Sequence, residues 1–218
     1  MSAQNELERY RRLLHIATTE MYQDRPDAAL ETIRSVRAAI ESREGNLEWA
    51  ELPLVIGHAL TAQNKEEALG YLNQALGRIE ELHDPPLELR IRALEHLGNF
   101  HRLCARRRAT AREFYIKAKA LADEAGFTED SDKLELRICG IDLENDEDPG
   151  YDDYVTLVGV GRQQGFTARE QLDVWNSYRA RTTELTKTLK GARKFGSSAS
   201  GTYFLNLLKS KRNEKSAQ

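Results

Sequence analysis

The sequence predicts an all-α protein: a solenoid of stacked helical hairpins with additional helices at its C-terminal end. Three observations carry this. One apolar pattern occurs three times: Leu13-x-x-Ile16-Ala17 leads to Ala29-x-x-x-Ile33, Leu52-x-x-Val55-Ile56 to Ala68-x-x-x-Leu72, and Leu94-x-x-Leu97-Gly98 to Ala111-x-x-x-Tyr115. The small residue opening each second helix follows the close-packing position of the first by 12, 12 and 13 residues. Apolar residues make up 40%, charged residues 31% and aromatics 7%, which suits amphipathic helices with solvated outer faces. A lone hairpin cannot bury its apolar face, so the copies must stack, and a stack offers a recognition surface rather than a catalytic cleft.

Helix periodicity orders the elements. The first pair is expected over 6–22 and 27–43, broken at Asp24-Arg25-Pro26, with Pro26 suited to a first helical turn. The second pair spans 47–62 and 65–82. The third spans 86–104 and 109–125, is entered through Asp84-Pro85-Pro86, and ends at Gly126 as a C-cap. Residues 131–144 form a seventh helix on Leu134, Ile138 and Ile141, and 151–164 an eighth on Tyr154, Leu157, Val158 and Gly161. Thr167-x-x-Glu170 has the form of a capping box opening a long helix toward Lys194. Residues 196–201 read as a flexible turn, and Tyr203 to Lys211 as a last apolar and basic helix. The domains are therefore a repeat array over 1–126 and a C-terminal helical extension over 127–218.

The third copy, Arg92-Ala-Leu-Glu-His-Leu-Gly-Asn-Phe-His101 followed by Ala111-Arg-Glu-Phe-Tyr115-Ile-Lys-Ala118, resembles a tetratricopeptide repeat. Leu97-Gly98-Asn99 stands at that family's close helix–helix contact, and Ala111, Tyr115 and Ala118 on its second helix. Ala29, Ala68 and Ala111 are 39 and 43 residues apart, longer than the common period of about 34. In this the chain is similar to the long-helix variants found in bacterial regulators and motor light chains. The resemblance, over about residues 6–126, implies a right-handed superhelix that binds a protein or peptide on its concave face. Polar residues offset from the packing positions of the first helices are the candidates: Arg11, Thr18, His58, Glu95, Asn99 and Arg102. Asn99 and Arg102 lie three apart on one helical face and can hold a peptide backbone or carboxylate. The family's paired lysines for a C-terminal carboxylate are not reproduced.

Net charge is −3, but it is unevenly spread. Residues 1–178 hold 22 Lys and Arg against 33 Asp and Glu, whereas 179–218 hold 10 against Glu184 and Glu214. From Asp123 to Asp153, 13 carboxylates face only Lys133 and Arg137. A basic end on an acidic body points either to an anionic partner, nucleic acid first, or to a tail that is solvated or folds back on the acidic segment. No stretch approaches the roughly 20 apolar residues of a membrane span, and no signal-peptide core opens the chain, so a cytoplasmic protein is expected. Cys104 and Cys139 fit a reduced, buried pair.

Chemical motifs fail on inspection. Asp142-x-Glu144-x-Asp146-x-Asp148 superficially resembles a calcium loop but has Glu147 where the sharp turn needs glycine, and no terminal bidentate Glu. Val155-Thr-Leu-Val-Gly159-Val-Gly161-Arg-Gln-Gln-Gly165 looks like a strand feeding a dinucleotide loop, yet no further strands follow; a helix packed through its glycines fits better. His15, His58, His83, His96 and His101 form no zinc motif. No Gly-x-Ser-x-Gly, Walker loop or paired nucleophile occurs, so neither an enzyme nor a cofactor is expected.

Residues 186–212 resemble a bacterial helix-turn-helix, with Ala192 the small residue of its first helix, Phe195-Gly196 the turn, and Thr202 opening the recognition helix. That resemblance places Ser200, Thr202, Asn206, Lys209 and Arg212 toward DNA, and Lys190, Arg193 and Lys194 on phosphates. The other reading is a cap: Tyr203, Phe204, Leu205, Leu207 and Leu208 are more apolar than a DNA-reading helix uses and would close the stack, or pair with a second chain. The favoured expectation is a protein-binding regulatory adaptor; the alternative is a transcriptional regulator reading DNA through 186–212.

Overall fold

The computed structural model describes residues 3–146, 148, 150–188 and 201–216. Among them every regular element is an α-helix, eleven in all. No helix among the described residues is long and apolar enough to cross a membrane. The chain divides into two compact units, Met1–Ala125 and Gly126–Gln218.

The first unit holds α1 (Ala3–Tyr22), α2 (Pro26–Arg34), α3 (Arg37–Glu41), α4 (Leu47–Ala62), α5 (Ala68–Glu81), α6 (Leu87–Leu103) and α7 (Arg108–Ala125). Helix α1 packs on α2 and α4, α4 on α5 and α6, and α6 on α5 and α7. Pro26 is at the start of α2, as expected from its fixed φ. The expected single helix over 27–43 is instead two, parted at Ser35 and Val36. The Ser35 hydroxyl donates to the Thr32 carbonyl at 2.8 Å, the acceptor an unbroken ladder would give the Val36 N–H. Val36 N–H turns to the Ile33 carbonyl at 3.0 Å, and the chain restarts as α3. Val36 and Ile40 are buried all the same.

Each turn inside a helix pair holds one residue in the left-handed region: Asp24 at φ 57°, Asn64 at 55° and Arg106 at 52°. Asp and Asn tolerate that conformation better than most side chains. In the first two turns the next N–H reaches back five residues, Arg25 to the Glu20 carbonyl and Lys65 to the Leu60 carbonyl, both at 2.9 Å. This Schellman closure satisfies carbonyls that the helix end would otherwise orphan.

Ala29, Ala68, Gly98 and Ala111 are all buried at helix contacts. The closest approach in the third pair is at Gly98, where an added Cβ would stand 2.4 Å from Tyr115 Cε1. In the second pair it is at Gly57, not at Ile56 as the repeat spacing suggested; a Cβ there would meet Leu72 at 2.7 Å. Ile16, read as an inward position, is 46% exposed on α1. It lines an open groove of about 520 Å³ with Asn5, Glu8, Arg9, Arg12, Leu13 and Ser35.

Helix α4 carries Pro53 in its interior, which removes the N–H that should bond the Trp49 carbonyl. The buried Arg78 of α5 repairs this: Nη1 donates to that carbonyl at 2.8 Å. Its Nη2 donates to Glu41 at 2.5 Å, and the guanidinium lies 4.4 Å from the Trp49 ring centre.

The second unit holds α8 (Thr128–Asn145), α9 (Tyr151–Gln163), α10 (Ala168–Thr188) and α11 (Gly201–Ser216). Helix α8 packs on α9 and α10, and α11 on α9 and α10. Its core gathers Leu157, Leu172, Val174, Trp175, Phe204 and Leu208, all buried. Of the C-terminal apolar run, Phe204 and Leu208 are fully buried, Leu207 is half-buried, and Tyr203, expected among the packing residues, is 41% exposed. Again a glycine faces an aromatic: a Cβ on Gly140 would meet Tyr154 at 3.1 Å. The run 155–160 is helical, within α9, and Gly165 at φ 67° closes that helix rather than cradling a phosphate. Thr167 and Glu170 form the expected capping box, with Thr167 N–H donating to Glu170 at 2.8 Å and Glu170 N–H to Thr167 Oγ1 at 3.2 Å.

Candidate functional site

Three first helices, α1, α4 and α6, stand side by side, with α4 in the middle. Two ion pairs cross them. Arg11 of α1 holds the buried Glu48 of α4 at 2.9 Å, and Arg92 of α6 holds Glu51 of α4 at 3.0 Å. The pairs Glu51–Arg92 and Thr61–Cys104, the latter a thiol donating to a carbonyl at 3.6 Å, set α4 and α6 parallel. Between them His58 stacks on His96, ring centres 4.0 Å apart.

Along α6, Arg92, Glu95, Asn99 and Arg102 recur at three- and four-residue steps and so share one face. Glu95, Asn99 and Arg102 are each half-buried. Asn99 is fixed by its second helix: the hydroxyl of the fully buried Tyr115 donates to its Oδ1 at 2.8 Å. That orients the Asn99 amide, leaving its N–H₂ as the donor end. The structure therefore brings His58, Glu95, Asn99 and Arg102 onto two adjacent helices. It sets Arg11 apart as a structural partner of Glu48, and Thr18 spends its hydroxyl on the Leu14 carbonyl at 2.9 Å. Sequence reasoning passed over Glu48, Glu51 and Arg92. Their signal was available, since these opposite charges stand 37 and 41 residues apart, close to the 39 and 43 that separate the small residues.

His101 is buried, its ring parallel to Phe114 at 5.4 Å and edge-on to Phe100 at 5.5 Å. Burial, and then the Arg107 cation, hold its imidazole below the usual range, so it packs as a neutral ring. Burial pushes both thiols up, Cys104 and Cys139, away from reactive thiolate character.

Asp148 and Asp153 each make bonds within the second unit. Asp148 accepts from the Gly150 N–H at 2.7 Å and pairs with Arg179 at 2.9 Å. Asp153 accepts from the Tyr178 hydroxyl at 2.5 Å, and Asp142 and Glu144 lie within α8.

Of the nucleic-acid candidates, Lys190, Arg193, Lys194 and Ser200 lie outside the described residues. Thr202, Asn206 and Lys209 are exposed on one stripe of α11. Arg212 takes a different role: it grips Glu170 through Nε at 2.7 Å and Nη2 at 2.8 Å, and its guanidinium lies 4.0 Å from the Phe166 ring centre. This locks α11 onto the start of α10. The Arg212 guanidinium, helped by Thr167, holds the Glu170 carboxyl down at about 2. A carboxyl depressed in the folded state contributes stability that is complete above its ordinary value near 4.5 and lost as pH falls toward 2. Arg212→Ala should therefore lower the melting temperature at neutral pH, and the deficit should narrow between pH 4.5 and 2; a deficit constant across that window would contradict it.

Comparison with protein-family models, curated proteins and solved structures returns no match.

Proposed function

We propose that this chain is a non-enzymatic recognition module of the cytoplasm, a tetratricopeptide-like stack of helical hairpins in a right-handed superhelix that binds a protein partner on the face of α1, α4 and α6. The observation carrying this reading is the recurrence of one packing device beside one polar stripe. Gly57 against Leu72 brings α4 tight onto α5, and Gly98 against Tyr115 brings α6 tight onto α7. The same Tyr115 also orients Asn99, the next residue along α6. A partner's backbone carbonyl would take the Asn99 amide, and a partner's carboxylate the Arg102 guanidinium one turn on. Gly140 against Tyr154, with Gly150 four residues before Tyr154 as Ala111 is before Tyr115, supports a fourth hairpin in the second unit. Buried Phe204 and Leu208 support α11 as a cap within this chain.

A DNA-reading function draws support from the exposed stripe Thr202, Asn206 and Lys209, but the Glu170–Arg212 lock commits one of its expected contacts to the fold. Anisotropy titration of the full chain against random-sequence duplex DNA at two ionic strengths decides between these readings. The adaptor reading expects weak association that salt abolishes and Asn206→Ala leaves unchanged. Tight binding at physiological salt, lost in Asn206→Ala, would overturn it.

A further inference from the structure

We infer that the turn between α6 and α7 is a docking site for an acidic segment of a partner protein that carries an apolar side chain, with Arg106 and Arg107 meeting its carboxylates and Leu103 its apolar group. This rests on the reading of the chain as a recognition module and adds the chemistry of the partner.

Three features combine at this turn. Most arginines that cross between elements here are matched to carboxylates: Arg11 to Glu48, Arg78 to Glu41, Arg92 to Glu51, Arg169 to Asp132 and Arg212 to Glu170. Arg106 and Arg107 are exposed, and among the described residues neither guanidinium makes an ion pair or hydrogen bond. Leu103, the last residue of α6, is 58% exposed within four residues of both. An exposed apolar side chain three and four residues before two unmatched cations is the composition of an interface.

The backbone gives the third. The first two hairpin turns place Asp24 and Asn64 in the left-handed region, where a short polar side chain is tolerated. The third turn places Arg106 there, at φ 52°, so a long cationic side chain occupies a position that stability alone would assign to Asn or Gly. The α7 N-terminus that follows adds its partial positive charge. Charge complementarity calls for an anion, and Leu103 separates a peptide from a nucleic acid, whose phosphates would engage the two arginines and leave the leucine in water.

The test is fluorescence anisotropy of the full chain with a labelled peptide in which leucines alternate with pairs of glutamates. Its serine-for-leucine counterpart and a duplex DNA run in parallel. Binding of the leucine peptide is expected to weaken about tenfold in R106E/R107E and to fall in Leu103→Ser. Arg106→Asn supplies a readout that a structural role would not give: the melting temperature should rise while peptide affinity drops. A docked carboxylate also offsets the Arg107 cation, so the His101 titration followed by NMR should move upward with saturating peptide. Equal affinity for wild type and R106E/R107E, equal binding of the serine peptide, or displacement of the peptide by duplex DNA would each overturn the proposal. Asn99→Ala separates the two sites. Binding that survives Asn99→Ala and fails in R106E/R107E upholds the turn site even if the first-helix face binds nothing. The reverse result overturns the turn site and leaves the first-helix face standing.

Discussion

Gly98→Leu is expected to destabilise the first unit by roughly 3 kcal/mol or more, a large share of a typical domain's stability. The first added carbon alone would stand 2.4 Å from Tyr115 Cε1 and 2.6 Å from Cδ1, far inside contact distance. Tyr115 has nowhere to go: it is fully buried, and its hydroxyl is bonded to Asn99. The helices must then part, which also disorients Asn99. Gly70 and Gly77 of α5 make the internal control, since a Cβ on either meets nothing within 4 Å. Each should gain about 0.5–1 kcal/mol on mutation to alanine, because glycine inside a helix is costly in chain entropy. Denaturant midpoints of the three variants check both signs. Gly98→Leu unfolding at the wild-type midpoint would refute the close-contact assignment.

Arg78→Met should cost roughly 3 kcal/mol by a different route. Methionine keeps much of the apolar stem but leaves the Trp49 carbonyl buried without a donor and Glu41 without its cation. The cause lies 25 residues earlier, at Pro53. Pro53→Ala restores the N–H that the Trp49 carbonyl lacks, so in the Arg78→Met background it should recover about 1–2 kcal/mol. In the wild type, where Arg78 already occupies that carbonyl, it should gain less. A double-mutant cycle by chemical denaturation measures this coupling. Strict additivity would show that Arg78 acts through Glu41 and Trp49 packing alone.

These two variants also mark how far the sequence could be read. Small residues set against large apolar ones keep a fixed helical spacing, which is why Ala29, Ala68, Gly98 and Ala111 were legible as contact points. The register slipped by one residue in α4 because that helix is buried almost all round, so Ile56 and Gly57 both look inward. Ile16 misled for the opposite reason: α1 bears an open groove on the side that Ile16 lines, and an apolar residue there lacks the cover its counterparts receive. The Gly140–Tyr154 contact was not legible, because Gly150 stands where the pattern has alanine and only ten residues separate it from Gly140.

Long-range electrostatics stayed hidden for a plainer reason. Nothing local in Arg212 tells a phosphate ligand from a helix lock; the answer depends on Glu170, 42 residues away, being presented by its capping box. The break at Ser35 and Val36 leaves Val36 and Ile40 buried, so the apolar periodicity runs through it unchanged. On α6, by contrast, the stripe Glu95, Asn99 and Arg102 follows directly from helical geometry. Only its anchoring by Tyr115 needed the fold.

The central claim is that the α6 face recognises a protein partner, and selection from a phage-displayed random peptide library tests it most directly. The wild-type chain and an Asn99→Ala/Arg102→Ala variant are panned in parallel, with circular dichroism confirming that the variant stays folded. Wild type is expected to enrich a recurring sequence class containing acidic residues, and the double variant to lose that class. Finding no class that is enriched on wild type and lost on the double variant would contradict it; a class enriched on both proteins reports the α6–α7 turn instead.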